Sequence, residues 1–510
     1  MKRALEQSRN NITETWSFLK DSIEQIFLRK SSLLWLLYII IAYSFSLFNR
    51  TISVDDLARA YYTGEGKAMI AAQRWIFWLL NRFFSTANFT PFLDDFISLL
   101  LLVASAVVIA SVFFFIRQER DPWKYLVFCI IYTTFPLINE IWEYTGTCLG
   151  IYSGILFSSL AILYYEVNEE KLSYLDYILM GCLLVPSMAG YEATAFSYIS
   201  LVLIVLYLRY VYQNKKNWLF SGIKLALPLF VGLAGRIIIG NILIGIYRIS
   251  YHSVGDTGIR WLNKGLDECF REVLDTNKRL YIDAAEDYFP IFEFLSSLLV
   301  YGIVSIVFLL QKRNNVLLCF VIPLSLFFQS VLQGYHLPYR TAQTVQLFVA
   351  FTAFVFLNAF SEKKVIARIF LLILLFVGYR QSIHLYEYLD LNNQRSDNET
   401  MLINTIGYRL YSEFDISKPV VFCGEYDLGD TIDQQIKHKM ETNVLSLINW
   451  SMVAYDNQLM MKSLFSYYGY DINVIEENIE INEFTKIAKE LEMRPLEIRD
   501  IGDYILVFFG

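Results

Sequence analysis

Two adjacent carboxylates, Asp55 and Asp56, follow the first long apolar run of the chain. Carboxylates at the mouth of an apolar helix are costly unless they are solvated or paired. One interpretation is a general base, in which one carboxylate takes the proton from an attacking hydroxyl group and its neighbour assists it or binds the acceptor. The alternative is that one of them caps a helix through 57–62. The spacing alone leaves both interpretations open.

Arg74 and Arg236 are charged residues in apolar surroundings. A planar guanidinium group is well suited to bind a phosphate group, so both are candidates for that role. Arg74 could instead extend along the apolar surface to lipid headgroups. Arg236 lies deep in an apolar run, where a charge should face the interior of a bundle and have a partner. A structural ion pair is therefore the alternative for Arg236.

His336 and Arg340 share one short segment between two late apolar runs. Positive donors there could stabilise the charge that develops on a leaving phosphate group. The alternative is a helix-capping turn organised by Pro338. We favour the phosphate interpretation, because this segment, the aspartate pair and Arg74 are predicted to reach the same membrane face.

Three glutamates, Glu140, Glu143 and Glu192, lie at the ends of predicted helices. Glu140 and Glu143 are three residues apart and share one helix face. All three glutamates are possible partners of Arg236 and possible contacts for the molecule that carries the attacking hydroxyl group. With the aspartate pair, Glu140 or Glu192 could also supply oxygen ligands to a divalent metal, Mg²⁺ or Mn²⁺. A solvated rim is the alternative for each of them.

The composition indicates a membrane protein. Of the 510 residues, 55% are hydrophobic and 18% are charged, and the mean hydropathy is +0.40. Soluble proteins average about 45–50% apolar and about 25% charged residues. The net charge of -7 argues against nucleic acid as a partner. The six cysteines have neither metal-ligand nor disulfide-framework spacing.

Apolar runs of about 20 residues predict membrane-spanning helices. The segment 68–84 contains two arginines and is predicted to be an interfacial helix instead. Residues 1–30 predict an amphipathic helix on the cytoplasmic face, with no cleaved signal peptide. About eleven spans are predicted: 31–48, 93–116, 124–139, 149–165, 174–190, 195–213, 218–246, 291–311, 316–332, 342–360 and 365–380.

Lysine and arginine collect in alternate short loops, which predicts a cytoplasmic amino terminus. The outer loops 49–92 and 247–290 and the tail 381–510 then lie outside the cytoplasm. In the tail, apolar runs at 419–424 and 504–509 predict strands that flank two helices. The tail is long enough to form a small extracytoplasmic α/β domain.

A first span that delivers an aspartate pair to the outer face, followed by an interfacial helix with Arg74-Trp75, resembles the GT-C class of membrane glycosyltransferases. Within that class the chain resembles the type-II Gtr glucosyltransferase family of bacteria, whose members show an Asp-Asp pair and a following Gly-Arg-Trp. Gln73 stands here in place of that glycine. The resemblance in architecture extends over 31–380, a GT-C-like transmembrane domain.

The resemblance implies an inverting transferase in the plasma membrane. Its donor would be a polyprenyl-phosphate-linked sugar, often glucose, and its acceptor a cell-surface glycan. Asp55 or Asp56 would be the base, while 247–290 and the tail would shape the acceptor groove. Some relatives need a divalent metal and others do not.

The sequence leaves three alternatives, of which the first is also an enzyme. A polysaccharide polymerase or ligase would use outer arginines without requiring the aspartate pair. A transporter or flippase of a lipid-linked sugar would be expected to show paired repeats, which the sequence lacks, although Arg236 favours it. A membrane scaffold would leave the charged residues without a role.

Overall fold

The computed structural model of the chain is mostly helical up to Glu413 and adds a small sheet beyond it. It describes residues 2–49, 67–84, 91–249, 260–262, 264–281, 289–311, 315–334, 339–426, 446–453, 457–475 and 481–510. The α-helices are α1 (Lys2–Ile26), α2 (Ser32–Phe48), α3 (Lys67–Ala71), α4 (Trp75–Phe84), α5 (Pro91–Arg117), α6 (Pro122–Thr134), α7 (Asn139–Glu143), α8 (Thr145–Asn168), α9 (Tyr174–Gly190), α10 (Glu192–Gln213), α11 (Trp218–Tyr247), α12 (Leu266–Tyr281), α13 (Phe289–Leu310), α14 (Val316–Ser325), α15 (Phe328–Gln333), α16 (Gln343–Ala359), α17 (Lys364–Glu413), α18 (Leu447–Val453), α19 (Asn457–Tyr467) and α20 (Ile481–Glu490).

Among the described residues, five helices are long and apolar enough to cross a membrane: α5, α8, α10, α11 and α17. Five shorter apolar helices accompany them: α2, α9, α13, α14 and α16. The chain is therefore a helical membrane protein, as the composition predicts. The count of eleven spans remains a prediction.

Two predicted spans are interrupted in the structure. The predicted span 124–139 contains only the 13-residue helix α6, followed by a 3₁₀ turn and the short helix α7. Asp121 caps α6 by accepting a hydrogen bond from the Trp123 amide at 3.2 Å, and Pro122 begins the helix. The predicted span 316–332 breaks at Leu326 and Phe327, between α14 and α15.

The long helices of the bundle alternate in direction, so residues from alternate connections gather at the same end. At one end α1 meets the carboxyl ends of several helices. The Asn168 side chain donates to Thr15 Oγ1 at 2.8 Å, and Arg117 Nε donates to Asn358 Oδ1 at 3.2 Å. Residues from loops predicted to share the cytoplasmic side thus meet at one end. We call the opposite end, where Arg74, Glu140 and Glu192 lie, the distal end.

Helix α1 packs one face onto the bundle. Leu19 and Ile26 are buried, and Ser22 Oγ lies 2.7 Å from Ser111 Oγ of α5. Trp16 is 69% exposed on another face of the same helix. The inner face of α1 is therefore covered by protein.

Helix α17 continues through the boundary that the sequence suggests at 380. It runs without interruption for 50 residues, about 75 Å at about 1.5 Å per residue. The change from apolar to polar composition near 380 ends the membrane-spanning pattern but not the helix, since no proline occurs within α17. The predicted span 365–380 is thus the first part of a longer helix.

The sheet near the carboxyl terminus has the order β1-β3-β2, with β1 at Val420–Cys423, β2 at Glu497–Asp500 and β3 at Ile505–Phe508. β1 pairs with β3 in parallel, and β2 pairs with β3 in antiparallel orientation. The two predicted strands correspond to β1 and β3, both fully buried. The sequence analysis missed β2, a short edge strand with three charged residues.

Candidate functional site

Some of the predicted site residues lie outside the described part of the chain, and most of the others lie together at the distal end. Asp55, Asp56 and His336 lie outside the described residues, and Glu143 ends helix α7. Five others lie at the distal end and form two ion-paired groups. They are Arg74, Glu140, Glu192, Arg236 and Arg340.

Glu192 bridges two arginines. Its Oε2 accepts from Arg74 Nε at 3.1 Å and lies 3.0 Å from Arg74 Nη2. Its Oε1 accepts from Arg236 Nη2 at 2.6 Å. Of the three acidic partners suggested for Arg236, the structure brings Glu192 to it. The Arg236 side chain is 16% exposed and that of Glu192 is 28% exposed, so the group is partly shielded from water.

The turn between α3 and α4 presents Arg74. The Arg74 amide donates to Met69 O at 2.8 Å, and Gln73 adopts a left-handed conformation with a φ of 59°. Glycine adopts that conformation without strain. The glycine in the motif that the chain resembles, at the position of Gln73, therefore suits the backbone found here.

Residues 73–75 are tied to helix α11 by three hydrogen bonds. Arg236 Nε donates to Gln73 O at 3.2 Å, and Trp75 Nε1 donates to Arg236 O at 3.2 Å. Gln73 Nε2 donates to Asn241 Oδ1 at 3.1 Å. Trp75 is buried. Arg74 is thus held within the protein by Glu192 and does not extend freely toward lipid headgroups.

Glu140 and Arg340 form the second group. Arg340 Nη1 donates to Glu140 Oε1 at 3.1 Å, and the Arg340 amide donates to Glu140 Oε2. The Arg340 guanidinium also lies over the Tyr144 ring, 4.6 Å from its centroid. These contacts fix the 3₁₀ turn Tyr339–Thr341 to helix α7.

The two groups are electrostatic neighbours. Burial opposes ionisation of Arg74, but the Glu192 carboxylate outweighs it and raises the pKa of Arg74, while the positive charge of Arg340 acts in the lowering direction. Arg74 also lies 4.9 Å from the centroid of the Tyr191 ring. Three arginines and two glutamates leave one excess positive charge, so the cluster is suited to bind an anion.

A divalent metal does not fit the described part of this cluster. Glu140 and Glu192 are both engaged by arginines. No group of three His, Cys, Asp or Glu side chains with metal-site geometry occurs among the described residues.

The sequence analysis missed a second aspartate pair. Asp94 and Asp95 occupy the first turns of α5 and are only 1% and 5% exposed. Two carboxylates at the start of a strongly apolar helix are the same signal that drew attention to Asp55 and Asp56. Helix α5 ends with Arg117 at the α1 end, so its acidic first turn lies toward the distal end.

The chain thus forms an apolar helical bundle with an arginine-rich cluster at one end. A family model described as Glucosyl transferase GtrII matches residues 44–357, and the chain belongs to this family. Family membership indicates a glucosyltransferase-type activity. The matched segment includes all the predicted site residues. Neither the curated proteins nor the solved structures include a match to the chain.

Proposed function

We propose that the protein is an inverting glycosyltransferase of the GT-C type that moves a sugar, with glucose expected, from a polyprenyl-phosphate donor to a cell-surface glycan. The observation that carries the proposal is the cluster of Arg74, Arg236 and Arg340 around Glu192 and Glu140 at the distal end. A phosphate group linked to a lipid would enter such a cluster from the adjacent membrane.

The cluster would act on the leaving group. As the bond between the anomeric carbon and the phosphate oxygen breaks, negative charge grows on the phosphate, and fixed guanidinium groups stabilise that charge. Because Glu192 and Tyr191 hold Arg74 in place before the donor binds, little reorganisation is needed.

The aspartate pair would act on the acceptor. Asp55 or Asp56 would take the proton of the acceptor hydroxyl as its oxygen attacks the anomeric carbon from the face opposite the phosphate. The new carbon–oxygen bond then has inverted configuration, and the phosphate leaves on its lipid.

The orientation follows from the charges at the α1 end. Arg117 and Lys124 lie at the helix ends on either side of one connection at that end, and Lys215 lies in another. Positively charged connections remain in the cytoplasm. The distal end, with the arginine cluster, would then face outward across the plasma membrane.

A transporter is less well supported, because Arg236 is not at mid-membrane depth. It lies 18 residues beyond the first residue of α11, Trp218, or about 27 Å at about 1.5 Å per residue. The hydrocarbon core is about 30 Å thick. The depth of Arg236 and its pairing with Glu192 suit a site at the outer membrane boundary better than a central transport site.

The proposal is tested by sugar transfer in vesicles. Purified protein receives polyprenyl-phosphate-linked radiolabelled glucose and a cell-envelope glycan fraction, with wild type, Asp55→Asn and Asp56→Asn compared. Asp500→Asn, at an exposed ion pair in the sheet, is the matched control. We expect transfer by wild type and the control, and loss of transfer in at least one other variant that still folds.

Other results would point elsewhere. Transfer that survives both substitutions would remove the pair from the mechanism and favour a polymerase or ligase. Movement of the labelled lipid across the bilayer without transfer would favour a transporter.

A further inference from the structure

Helix α17 contributes to two hydrophobic clusters that are separate along its length. The cluster of the bundle ends on this helix at Leu391, and the buried part of the cluster around the sheet begins at Ile403. Every buried residue of α17 between them is polar. These residues are Asn392, Asn393, Arg395, Ser396 and Glu399. Boundaries between packed units are common ligand sites. We call residues 388–399 the polar seam.

Two side chains at the bundle side of the polar seam retain unused hydrogen-bonding capacity. Tyr388 and Asn392 are four residues apart, share one helix face, and are each 3% exposed. The Tyr388 hydroxyl and Asn392 Oδ1 have no hydrogen-bond partner among the described residues. Buried polar atoms without partners destabilise a fold and are uncommon, so a pair of them on one face needs a reason.

Toward the sheet, Glu399 and the adjacent Thr400 make hydrogen bonds within the protein. The Ile448 amide donates to Glu399 Oε1 at 3.2 Å, and Thr400 Oγ1 donates to the Tyr468 hydroxyl at 2.9 Å. Tyr388 and Asn392, whose hydroxyl and Oδ1 have no hydrogen-bond partner among the described residues, lie on the side that faces the bundle.

That side lies beside the end of α2. The Phe45 ring is 5.6 Å from the Tyr386 ring, centroid to centroid. Helix α2 ends at Phe48, and Asp55 follows seven residues later, within reach of about 25 Å of extended chain. Tyr388 and Asn392 thus lie close to the end of the helix that precedes the predicted base along the chain.

The depth of the pair also suits a sugar. Tyr388 is 24 residues beyond Lys364, or about 36 Å at about 1.5 Å per residue. The hydrocarbon core is about 30 Å thick, so the pair lies at the headgroup level. Helix α17 also contacts α7, which carries Glu140 of the arginine cluster.

We propose that Tyr388 and Asn392 bind the hydroxyl groups of a pyranose sugar during transfer. A phenol can donate and accept one hydrogen bond, and an amide offers both an acceptor oxygen and two donors. Together they match neighbouring hydroxyls on an uncharged ring. This inference rests on the proposed function. The bound sugar could belong to the donor or to the acceptor glycan, and the test separates the two.

The variants Tyr388→Phe and Asn392→Leu remove the unpaired polar atoms with little change in volume. If the atoms serve a ligand, thermal stability stays equal or rises, because no internal hydrogen bond is lost. Transfer then falls about tenfold for each variant, the effect of losing roughly one hydrogen bond. A structural role predicts the opposite, with stability and activity falling together.

Tyr301→Phe is the matched control. The Tyr301 hydroxyl is also buried without a hydrogen-bond partner in the described part of the chain, but its ring packs against Tyr207 and Phe348 in the bundle. We expect the same effect on stability as for Tyr388→Phe and unchanged transfer.

Two assays identify the source of the sugar. Release of glucose to water, measured without glycan, reports on the donor alone, and transfer to the cell-envelope glycan fraction reports on both substrates. A raised KM for glycan with unchanged release assigns the pair to the acceptor, and a change in both assays assigns it to the donor. Wild-type rates for both variants in both assays, or loss of activity together with thermal stability, would overturn the inference.

If wild type transfers nothing, the proposed function fails and binding decides the inference. The glycan fraction should then raise the melting temperature of wild type and not of the two variants. An equal shift in all proteins, or no shift in any, would rule out the sugar site.

Discussion

Glu192 holds together the arginine cluster at the level of single residues. Glu192→Gln keeps the size of the side chain but leaves two guanidinium groups without their shared anion. Because the side chain is 28% exposed, water offsets part of the loss. We expect the free energy of unfolding to fall by roughly 1–3 kcal/mol, less than about 3–5 kcal/mol for a fully buried pair. The KM for the donor should rise, because Arg74 and Arg236 would repel each other.

Unfolding of the purified protein in detergent and donor titrations measure both effects. Glu413→Gln is the matched control, since Glu413 is 50% exposed and pairs with Arg409 across one helical turn. The control should change stability by less than about 0.5 kcal/mol. A Glu192→Gln protein with wild-type stability and wild-type KM would show that the bridge is dispensable.

Gln73 allows a second comparison between single residues. A residue other than glycine in the left-handed conformation costs roughly 1–2 kcal/mol, and Gln73 has a φ of 59°. Both Gln73→Ala and Gln73→Gly lose the hydrogen bond to Asn241, but only the glycine variant removes the backbone strain. We expect Gln73→Gly to be more stable than Gln73→Ala by about 1 kcal/mol in unfolding experiments. Equal stability would indicate that the turn changes its conformation in one of the variants.

Gly240 governs how two elements, the 72–74 turn and helix α11, approach each other. A methyl group on Gly240 would lie 1.9 Å from Gln73 Oε1, so the glutamine must move away from Asn241. Gly240→Ala should therefore cost about 1 kcal/mol from the lost hydrogen bond and reduce transfer by disturbing Arg74. Gly245, in the same helix, has open space around it and makes Gly245→Ala the matched control.

A double variant tests the mechanism of that loss. In Gly240→Ala with Gln73→Gly, the colliding side chain is absent, so transfer should return toward the level of Gln73→Gly alone. Such non-additivity is expected for residues in direct contact. Additive losses of stability and transfer would mean that Gly240 acts on something other than Gln73.

Much of the helical architecture could be predicted from hydropathy, because each apolar run of about 20 residues is a local signal. The end of α17 could not be predicted in this way, because composition marks where a helix leaves the membrane and not where the helix ends. The ion-pair partner of Arg236 could not be predicted from the sequence either. The sequence offered three glutamates for Arg236 and nothing chose among them, since Glu192 is 44 residues away along the chain.

Only part of the proposed site could be singled out from the sequence, because only some of its residues give a local signal. Arg74 could be proposed because a charge in an apolar run stands out. The proposed role of Tyr388 and Asn392 depends on burial, which a polar stretch of sequence does not reveal. Asp94 and Asp95 gave the same signal as Asp55 and Asp56 and were overlooked within a predicted span.

At the scale of the whole molecule, the alternation of helices predicts which residues are reached from each side of the membrane. Lys216 follows α10 at the α1 end, and Ser412 lies at the far end of α17; both are exposed. In intact cells, a membrane-impermeant maleimide should label Ser412→Cys and not Lys216→Cys. Both should react after the membrane is permeabilised, which confirms that each cysteine is accessible.

The native cysteines suit this experiment. Five of the six are buried, and Cys182 is exposed on α9, which lies within a predicted membrane span. Burial raises the pKa of the Cys423 thiol near the labelled end to about 12, so it carries almost no reactive thiolate at neutral pH. Labelling of Lys216→Cys alone in intact cells would reverse the orientation and place the arginine cluster in the cytoplasm. Labelling of both variants would mean that the helices do not separate the two ends across one bilayer, and the proposed extracytoplasmic reaction would lose its basis.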